Sequence, residues 1–421
     1  MSSQKRAAHN PDGVVRTYIK RVSAFSPNAR IYLISIMIYG AGLGIHRFLF
    51  NFFLRSLGYD ETFMGLISTI SSMTVLISAL PMGYLADRLG RKFSMVLAVL
   101  VTGAAVFLMV IFHTPIILVF TNILMGIGSS LGAVVSGPFM MENSGEEERT
   151  YLFSMDSGLR MAANSVGDWL GGYLPSWFGK AFQVSAISAT AYAWSVGVAG
   201  VLVLATAIPR LMLKRNQLGT KNRAAFAPIA FARQNPGTLP KLLLPMFITS
   251  IGAGLIMPFM NIFFSNVHQQ PDRVIGALMA WGSLAMGVGL ILAPVFADRF
   301  GKIRVVVYSQ AISIPFLIML GFSSSFGLST VAYFVRLTLM NMSSPVYQTF
   351  VMEQVEADAR AMVASLNSMV NSFGRAFSPV ISGWAQVNYG FGPPFLGTIF
   401  TYIIAIWMYY AFFLRKKERA Q

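Results

Sequence analysis

GYLADRLGRK at residues 83–92 lies between two long apolar runs, and the related segment PVFADRFGKI occupies residues 294–303. An offset of 211 positions relates the charged residues and the shared glycine of these segments, in the pairs Asp87 and Asp298, Arg88 and Arg299, and Gly90 and Gly301. Two further segments, MENSGEEER at 141–149 and MEQVEADAR at 352–360, keep this offset and match Glu142 with Glu353 and Arg149 with Arg360. Two motifs that share one spacing across half of the chain indicate a duplicated unit.

The composition indicates a protein that is embedded in a lipid bilayer. Of the 421 residues, 55% are hydrophobic and only 11% are charged, whereas a soluble domain carries roughly 25% charged residues. Apolar stretches of about 18–25 residues recur along the chain, and each is long enough to cross ~30 Å of hydrocarbon. We expect these spans to be helices, because backbone hydrogen-bonding groups cannot be left unpaired in lipid.

The apolar runs predict an all-α polytopic protein with twelve transmembrane helices in two bundles of six. The predicted spans lie near residues 31–54, 62–84, 93–112, 115–140, 152–176, 183–208, 242–265, 274–296, 303–322, 327–350, 361–385 and 394–414. The predicted organisation is an N-terminal tail 1–30, a first bundle 31–209, a linker 210–241, a second bundle 242–414 and a C-terminal tail 415–421.

The net charge of +16 comes mostly from residues at the ends of the spans, which fits the positive-inside rule and not a nucleic-acid partner. The N-terminal tail holds six Lys/Arg, and the linker holds seven Lys/Arg and no acidic residue. The opposite loops contain little beyond Arg55, Lys180 and Arg273. We therefore expect both termini and the linker in the cytoplasm of a multi-pass protein. The N-terminus has no apolar core typical of a cleaved signal peptide.

GYLADRLGRK resembles the signature loop between helices 2 and 3 of the major facilitator superfamily, and the resemblance extends over the whole chain. The second copy departs from that pattern at Pro294 and Lys302. The resemblance implies two six-helix bundles around a central cavity and secondary transport of a small molecule by alternating access. It also implies a plasma-membrane carrier that is coupled to protons and works as a monomer among membrane lipids, and it favours efflux over uptake.

The repeated motif and its partner segments predict a gate at the cytoplasmic rim. The glycines allow two helix ends to approach and turn. Asp87 suits the positive N-terminus of a neighbouring helix, which the resemblance identifies as helix 11, after Arg360. We expect basic residues such as Arg91 to pair with Glu142, and Lys302 to pair with Glu353. The gate set comprises Gly83, Asp87, Arg88, Gly90, Arg91, Glu142, Arg149, Asp298, Arg299, Gly301, Lys302, Glu353 and Arg360. The alternative is that these charges only orient the chain.

A polar stripe follows span 5, where Asp156, Arg160, Asn164 and Asp168 recur every four residues and share one helix face. The same offset of 211 places Asn367, Asn371 and Arg375 on span 11. Polar groups at membrane depth are costly and usually face a cavity or a partner. Hydrogen bonding between helices is the alternative, and it applies most to Asp156 and Arg160.

Arg47 in span 1 and Arg336 in span 10 lie on helices that line the central cavity in the superfamily that this chain resembles. Asn51 matches Asn261 in the second half, with an offset of 210 positions. The candidate substrate or coupling residues are therefore Arg47, Asn51, Asn164, Asp168, Asn261, Arg336, Asn371 and Arg375. Arg47, Arg336 and Arg375 outnumber Asp168, and a buried positive surplus favours an anionic substrate. The competing interpretation is structural Arg–Asp pairing, with Asp168 as a proton-coupling carboxylate.

Motifs of other protein classes are missing from the sequence. It contains no HExxH or Walker motif and no cysteine, and His9, His46, His113 and His268 are too scattered for a metal site. We therefore expect neither an enzyme nor a protein with a cofactor or metal. A lipid or lysolipid flippase of the same fold is the main alternative to a small-molecule carrier. A transporter-like sensor is a further alternative, although it would need a signalling domain.

Overall fold

A computed structural model describes residues 22–214, 237, 239–355 and 360–415. Most of the predicted C-terminal tail, of the predicted linker and of the N-terminal tail lies outside these residues. The described part contains twelve helical segments, numbered here in chain order: α1 Pro27–Ser56, α2 Glu61–Leu89, α3 Arg91–Ile111, α4 Pro115–Glu142, α5 Glu146–Phe182, α6 Ala189–Leu211, α7 Leu239–Asn266, α8 Asp272–Phe300, α9 Lys302–Phe322, α10 Phe326–Glu353, α11 Arg360–Tyr389 and α12 Gly392–Leu414.

Nine of these twelve helices are long and apolar enough to cross a membrane by length and composition, within the described part of the chain. The other three, α5, α10 and α11, carry most of the polar residues that the sequence places at membrane depth, while Arg47, Asn51 and Asn261 lie on α1 and α7. A low mean hydropathy in these three helices is expected if they face a cavity between the halves and not the lipid. The prediction of an all-α protein with twelve helices is confirmed.

Local signals explain where several helices begin. Ser26 caps α1 by accepting a hydrogen bond from the Ala29 amide at 3.2 Å, and Pro27 follows as the first helical residue. Asp60 caps α2 through the Phe63 amide at 2.9 Å, and Ser188 caps α6 through the Ala191 amide at 3.2 Å. These caps satisfy amides that the first helical turn leaves unpaired.

Two helices are irregular inside their spans. A 3-10 turn at Met257–Phe259 interrupts α7 around Pro258, since proline disrupts the regular hydrogen bonding of an α-helix. In α6 the hydrogen-bonded helices Ala189–Ala205 and Ala207–Leu211 meet at Thr206. Arg210, which the sequence assigns to the linker, is buried in the last turn and donates to the Met95 carbonyl at 2.9 Å. The first bundle therefore extends slightly beyond its predicted end.

The helices pack in two equivalent sets. In the first half α1 packs on α5 and α6, and α4 packs on α2 and α3; in the second half α7 packs on α11 and α12, and α10 packs on α8 and α9. The halves meet through α2 on α11 and α5 on α8, which exchange places under the repeat. The fold is thus two six-helix bundles related by a pseudo-twofold axis.

Each helix has one end on each of two faces. We call the face that carries Leu89, Glu142, Phe300 and Glu353 the terminal face, since the chain also enters and leaves the bundles there. We call the other face, which carries the turn between Ser56 and Glu61 and that between Asn266 and Asp272, the opposite face.

The structure corrects two predicted loops. The motif 83–92 was expected to be a loop, but α2 continues to Leu89 and α3 begins at Arg91, so that only Gly90 separates them. Gly90 has φ of 81° and Gly301 has φ of 87°, a backbone region that favours glycine. The segment 142–150, between the predicted spans 115–140 and 152–176, is also mostly helical, because α5 already begins at Glu146.

Candidate functional site

A cavity of about 530 Å³ lies between the two halves. Its walls come from both bundles and include Arg47, Asp168, Asn261, Arg336, Asn371 and Arg375, six of the eight residues predicted to bind substrate or to couple. A volume of this size suits a small organic molecule. Asn51 and Asn164 are not among the described residues that line it, and their role in substrate binding or coupling stays a prediction.

Asp168 of α5 is the buried carboxylate of the cavity. Its side chain is 1% exposed, and Oδ2 accepts a hydrogen bond from Arg47 of α1 at 2.6 Å. Ser283 of α8 lies 3.5 Å from the same oxygen, and so the second half also contacts the carboxyl group. Asp168 Oδ1 has no partner among the described residues. Both interpretations left open by the sequence therefore apply to this pair. Arg47 compensates the charge of Asp168, and Asp168 still lines the cavity.

Arg336 of α10 is buried in the second half, with a relative exposure of 1%. Its Nη2 donates to the Tyr402 hydroxyl at 3.3 Å, and its guanidinium carbon lies 5.6 Å from the centre of that ring. Nε and Nη1 have no hydrogen-bond partner among the described residues. Arg375 of α11 lines the same cavity and is exposed to it.

Asn51 and Asn261, which the repeat pairs in sequence, contact each other across the halves. Asn51 Nδ2 lies 3.0 Å from Asn261 Oδ1 and donates to the Pro258 carbonyl at 2.7 Å. In return, Asn261 Nδ2 donates to the Phe48 carbonyl at 2.9 Å. Phe48 and Pro258 are equivalent under the repeat, so the bonds are reciprocal and lie on the pseudo-twofold axis. These residues join α1 to α7.

Further polar contacts join the halves on the opposite face. Arg55 donates to Asn266 Oδ1 at 2.6 Å and to Ser265 Oγ at 3.0 Å, and Asn266 donates to Glu61 at 3.2 Å. Tyr192 of α6 donates to Asp272 of α8 at 2.6 Å. We call these contacts, with Asn51 and Asn261, the opposite-face seal. Of the residues in this seal, only Asn51 and Asn261 had been assigned to a site from the sequence.

Two close helix crossings complete the seal. A Cβ on Gly276 would lie 2.8 Å from the Asp168 carbonyl oxygen and 2.8 Å from the Gly172 Cα, between α8 and α5. A Cβ on Gly65 would overlap the Pro379 carbonyl, and one on Gly383 would overlap the Glu61 carbonyl, between α2 and α11. An offset of 211 relates these glycines, in the pairs Gly65 with Gly276 and Gly172 with Gly383. The same offset, applied to residues other than the charged motifs, would have identified these glycines from the sequence.

On the terminal face, the predicted gate contains two equivalent ion pairs. Arg91 contacts Glu142 at 3.1 Å and Asp87 at 3.4 Å, and Lys302 contacts Glu353. Each pair lies within one half, since Arg91–Glu142 joins α3 to α4 and Lys302–Glu353 joins α9 to α10. In this conformation these pairs therefore brace the individual bundles and do not hold the halves together.

The other predicted gate residues have different surroundings. Arg88 lies over the Tyr84 ring at 4.7 Å, and Arg299 over the Phe300 ring at 5.3 Å. Arg149 donates to the Ser144 carbonyl at 3.4 Å and so contacts the segment just before α5. Asp298 is exposed. The side chain of Arg360 lies outside the described residues.

The gate glycines do not share one role. Gly90 and Gly301 make the positive-φ turns between paired helices, as described above. A Cβ on Gly83 would be 3.7 Å from its nearest neighbour, Val134, which is ordinary van der Waals contact. The expectation that Gly83 is needed for close approach is therefore wrong in this conformation.

The terminal-face end of the polar stripe is structural. Arg160 donates to both oxygens of Asp156 at 2.9 and 3.1 Å, and Tyr32 of α1 donates to Asp156 at 3.1 Å. These groups satisfy one another between α1 and α5, which is the helix-to-helix alternative. Asn164 lies where α1 crosses α5, with its carbonyl 2.5 Å from a Cβ placed on Gly44. The stripe thus faces the cavity only at Asp168.

Comparison with known proteins identifies the family. The model of the Major Facilitator Superfamily matches residues 32–246 and again residues 242–421. The chain is 24% identical to Multidrug resistance protein 1 of Bacillus subtilis (strain 168) over 374 residues, which is 86% of this chain and 91% of that protein. It is 20% identical to Quinolone resistance protein NorA of Staphylococcus aureus (strain Mu50), over 85% of this chain and 89% of that protein.

Solved structures agree on the fold. The nucleoside transporter NupG superposes with a TM-score of 0.72 at 13% identity, over 92% of this chain and 98% of that one. A bacterial homologue of the human lysosomal transporter Spinster, in an inward-facing and unoccupied conformation, superposes with a TM-score of 0.75 at 15% identity, over 92% and 97% of the two chains. The helical bundles are duplicated, a cavity lies between them, and the family model matches both halves of the chain. The chain therefore belongs to the Major Facilitator Superfamily.

Proposed function

We propose that this protein is a proton-coupled secondary transporter that exports a small molecule by alternating access. The observation that carries the proposal is a cavity between two equivalent bundles whose described contacts with each other include a seal on the opposite face. Because the bundles are related by a pseudo-twofold axis, an equivalent closure on the terminal face is the natural second state. Exchange between two such states moves a bound molecule across the membrane.

The charge distribution of the sequence supports an orientation. Basic residues concentrate on the terminal face, and the positive-inside rule then favours both termini in the cytoplasm of the plasma membrane. The described conformation is inward-facing in this orientation. Two relatives are named for multidrug and quinolone resistance. Resistance through a membrane carrier requires removal of the drug from the cell, which favours efflux. We propose a monomeric carrier.

Asp168 and Arg47 are the proposed proton-coupling pair. Protonation of Asp168 removes the negative charge that Arg47 contacts at 2.6 Å. The backbone of Asp168 lies where α5 crosses α8 at Gly276. Ser283, which is also on α8, approaches the carboxyl group of Asp168. The other charged residues of the described cavity wall are Arg336 and Arg375, and its tyrosines are Tyr333, Tyr347, Tyr402 and Tyr409. A proton at this carboxylate therefore acts directly where α5 meets α8.

The surplus of arginine over aspartate in the cavity favours an anionic substrate. The alternative function is a lipid or lysolipid flippase, in which an anionic headgroup would contact the same positive charge. Both functions use the same cavity and the same alternation of faces, and they differ in the molecule that is carried.

Distance measurements between paired spin labels test the coupled alternation. The sequence has no cysteine, so engineered cysteines are labelled without background. Met141→Cys with Met352→Cys reports on the terminal face, and Ile111→Cys with Phe322→Cys reports on the opposite face. In lipid nanodiscs, a change of pH is expected to move the two distances in opposite directions.

Asp168→Asn should remove this pH response, because the proposed proton-binding group is lost. The matched control is Asp156→Asn, which removes a carboxylate from the same helix outside the cavity lining and should leave the response in place. Distances that ignore pH in the parent protein, or a full pH response in Asp168→Asn, would contradict the proposed coupling.

A further inference from the structure

The guanidinium of Arg336 is buried but only partly paired. Its one hydrogen bond among the described residues goes to the Tyr402 hydroxyl at 3.3 Å, and Nε and Nη1 have none. Leaving charged N–H groups without partners away from water is unfavourable. A purely structural arginine is normally surrounded by acceptors, so these two donors point to a partner that the described part of the chain does not provide.

The surrounding wall does not neutralise this charge. The charged residues that line the described cavity are Arg47, Asp168, Arg336 and Arg375. Asp168 is already paired with Arg47 at 2.6 Å. Arg336 and Arg375, on α10 and α11 of the second half, therefore remain as two positive charges without a carboxylate partner in the described wall.

The rest of the wall is largely apolar. Five methionines line the cavity: Met246, Met257, Met279, Met286 and Met340. Methionine side chains are flexible and polarisable and adapt to apolar or aromatic surfaces of varied shape. The cavity thus offers an anion-binding corner beside an adaptable apolar surface.

We propose that the unpaired N–H groups of Arg336 bind the anionic group of the transported molecule, and that this molecule is an organic anion with an apolar body. Nε and Nη1 each form a parallel pair of N–H donors with Nη2, and Tyr402 occupies only one N–H of Nη2. The remaining pair matches two oxygens of a carboxylate, phosphate or sulfonate. Tyr402 orients the guanidinium from the side of Nη2, and Arg375 adds positive charge nearby. The proposal rests on the proposed transport function. It assigns cargo binding to the second half and proton binding to Asp168 in the first.

Equilibrium binding to the purified full-length protein tests the proposal with three probes that share one apolar body: 2-naphthoate, the neutral 2-naphthamide and the cationic 2-naphthylmethylammonium. We expect 2-naphthoate to bind on the order of 10-fold or more tighter than the other two. This comparison uses the unaltered protein and does not depend on the folding of any variant. Equal affinity for the three probes would overturn the proposal for small anions.

Two substitutions then locate the charge. Arg336→Gln should weaken 2-naphthoate on the order of 10- to 100-fold and leave 2-naphthamide within about threefold, because only the anion loses a charge-assisted contact. Arg336→Lys should recover part of the preference, since it keeps the charge without the guanidinium fork. Arg304→Gln, in the first turn of α9 and outside the cavity lining, is the control. Equal loss for both probes in Arg336→Gln would show a structural role and overturn the proposal.

A lipid arm separates the two sources of the anionic group. Lysophosphatidylglycerol and lysophosphatidylcholine, at equal concentration in the same detergent, differ in net headgroup charge. An Arg336-dependent preference for lysophosphatidylglycerol without a preference for 2-naphthoate would identify a lipid headgroup as the ligand. No anion preference in either arm overturns the proposal. A pH response of the label distances that persists in that case would leave the transport function standing by itself.

Discussion

Replacing Gly276 with alanine is expected to shift the protein away from the described conformation. The added Cβ would lie 2.8 Å from both the Asp168 carbonyl oxygen and the Gly172 Cα, so α5 and α8 must separate at their crossing. Overpacking of this kind costs about 1–3 kcal/mol. A conformer in which the helices are apart on the opposite face avoids this overlap. The ratio of the two conformers should therefore change about 5- to 150-fold.

The assay is the distance distribution between labels at Ile111→Cys and Phe322→Cys, at the ends of α3 and α9. Gly276→Ala should increase the longer-distance population. Gly65→Ala, at the equivalent crossing of α2 and α11, should do so more strongly, since its Cβ would overlap the Pro379 carbonyl.

Two alanine substitutions are matched controls for helix propensity, which favours alanine over glycine by roughly 1 kcal/mol. Gly158→Ala in α5 meets nothing within 4 Å and should leave the distribution unchanged. Gly167→Ala places a Cβ 2.9 Å from the Gly44 Cα inside the first half, so it should lower thermal stability without favouring either conformer. The reasoning is refuted if Gly276→Ala behaves like Gly158→Ala, or if Gly167→Ala redistributes the distances as strongly.

Other predictions concern the charged residues of the terminal face and the Asn51–Asn261 contact on the pseudo-twofold axis. Asp87→Asn is expected to slow the exchange between conformers while the protein stays folded, as measured by label distances after a pH jump and by circular dichroism; unchanged exchange would remove the gate role. Glu142→Gln should lower the free energy of unfolding by no more than about 1 kcal/mol, because the Arg91–Glu142 pair is partly exposed; a much larger loss in chemical denaturation would contradict a simple brace. Asn51→Ala and Asn261→Ala should each favour opening of the opposite face, and the double substitution should be less than additive because the two amides bond to each other.

Much of the architecture follows from one-dimensional patterns. Helix number depends on the length of apolar runs against the thickness of a bilayer, and the duplication is visible as a constant offset between motifs. The pairing of Lys302 with Glu353 can be predicted from the same offset, since Arg91 and Glu142 are the equivalent pair in the first half. Such features depend on composition and spacing along the chain.

Predictions about the surroundings of individual polar residues were less successful. Asn51 and Arg47 lie four positions apart on one helix, yet Arg47 faces the cavity and Asn51 bonds across the axis to Asn261. Asp156 and Asp168 share a helical stripe, but Tyr32 and Arg160 enclose the first and the second reaches the cavity wall. Helical periodicity specifies a face of a helix and not which neighbour covers that face at each depth.

The amino-acid sequence alone was enough to establish a duplicated, basic, twelve-helix membrane protein and the repeated motif at its rim, because these depend on local composition and on spacing. It did not establish on which face the halves close, that the rim pairs lie within each half, or that two donors of Arg336 have no partner among the described residues. Those properties depend on how the bundles dock, since a buried charge acquires its role from the groups that surround it in three dimensions.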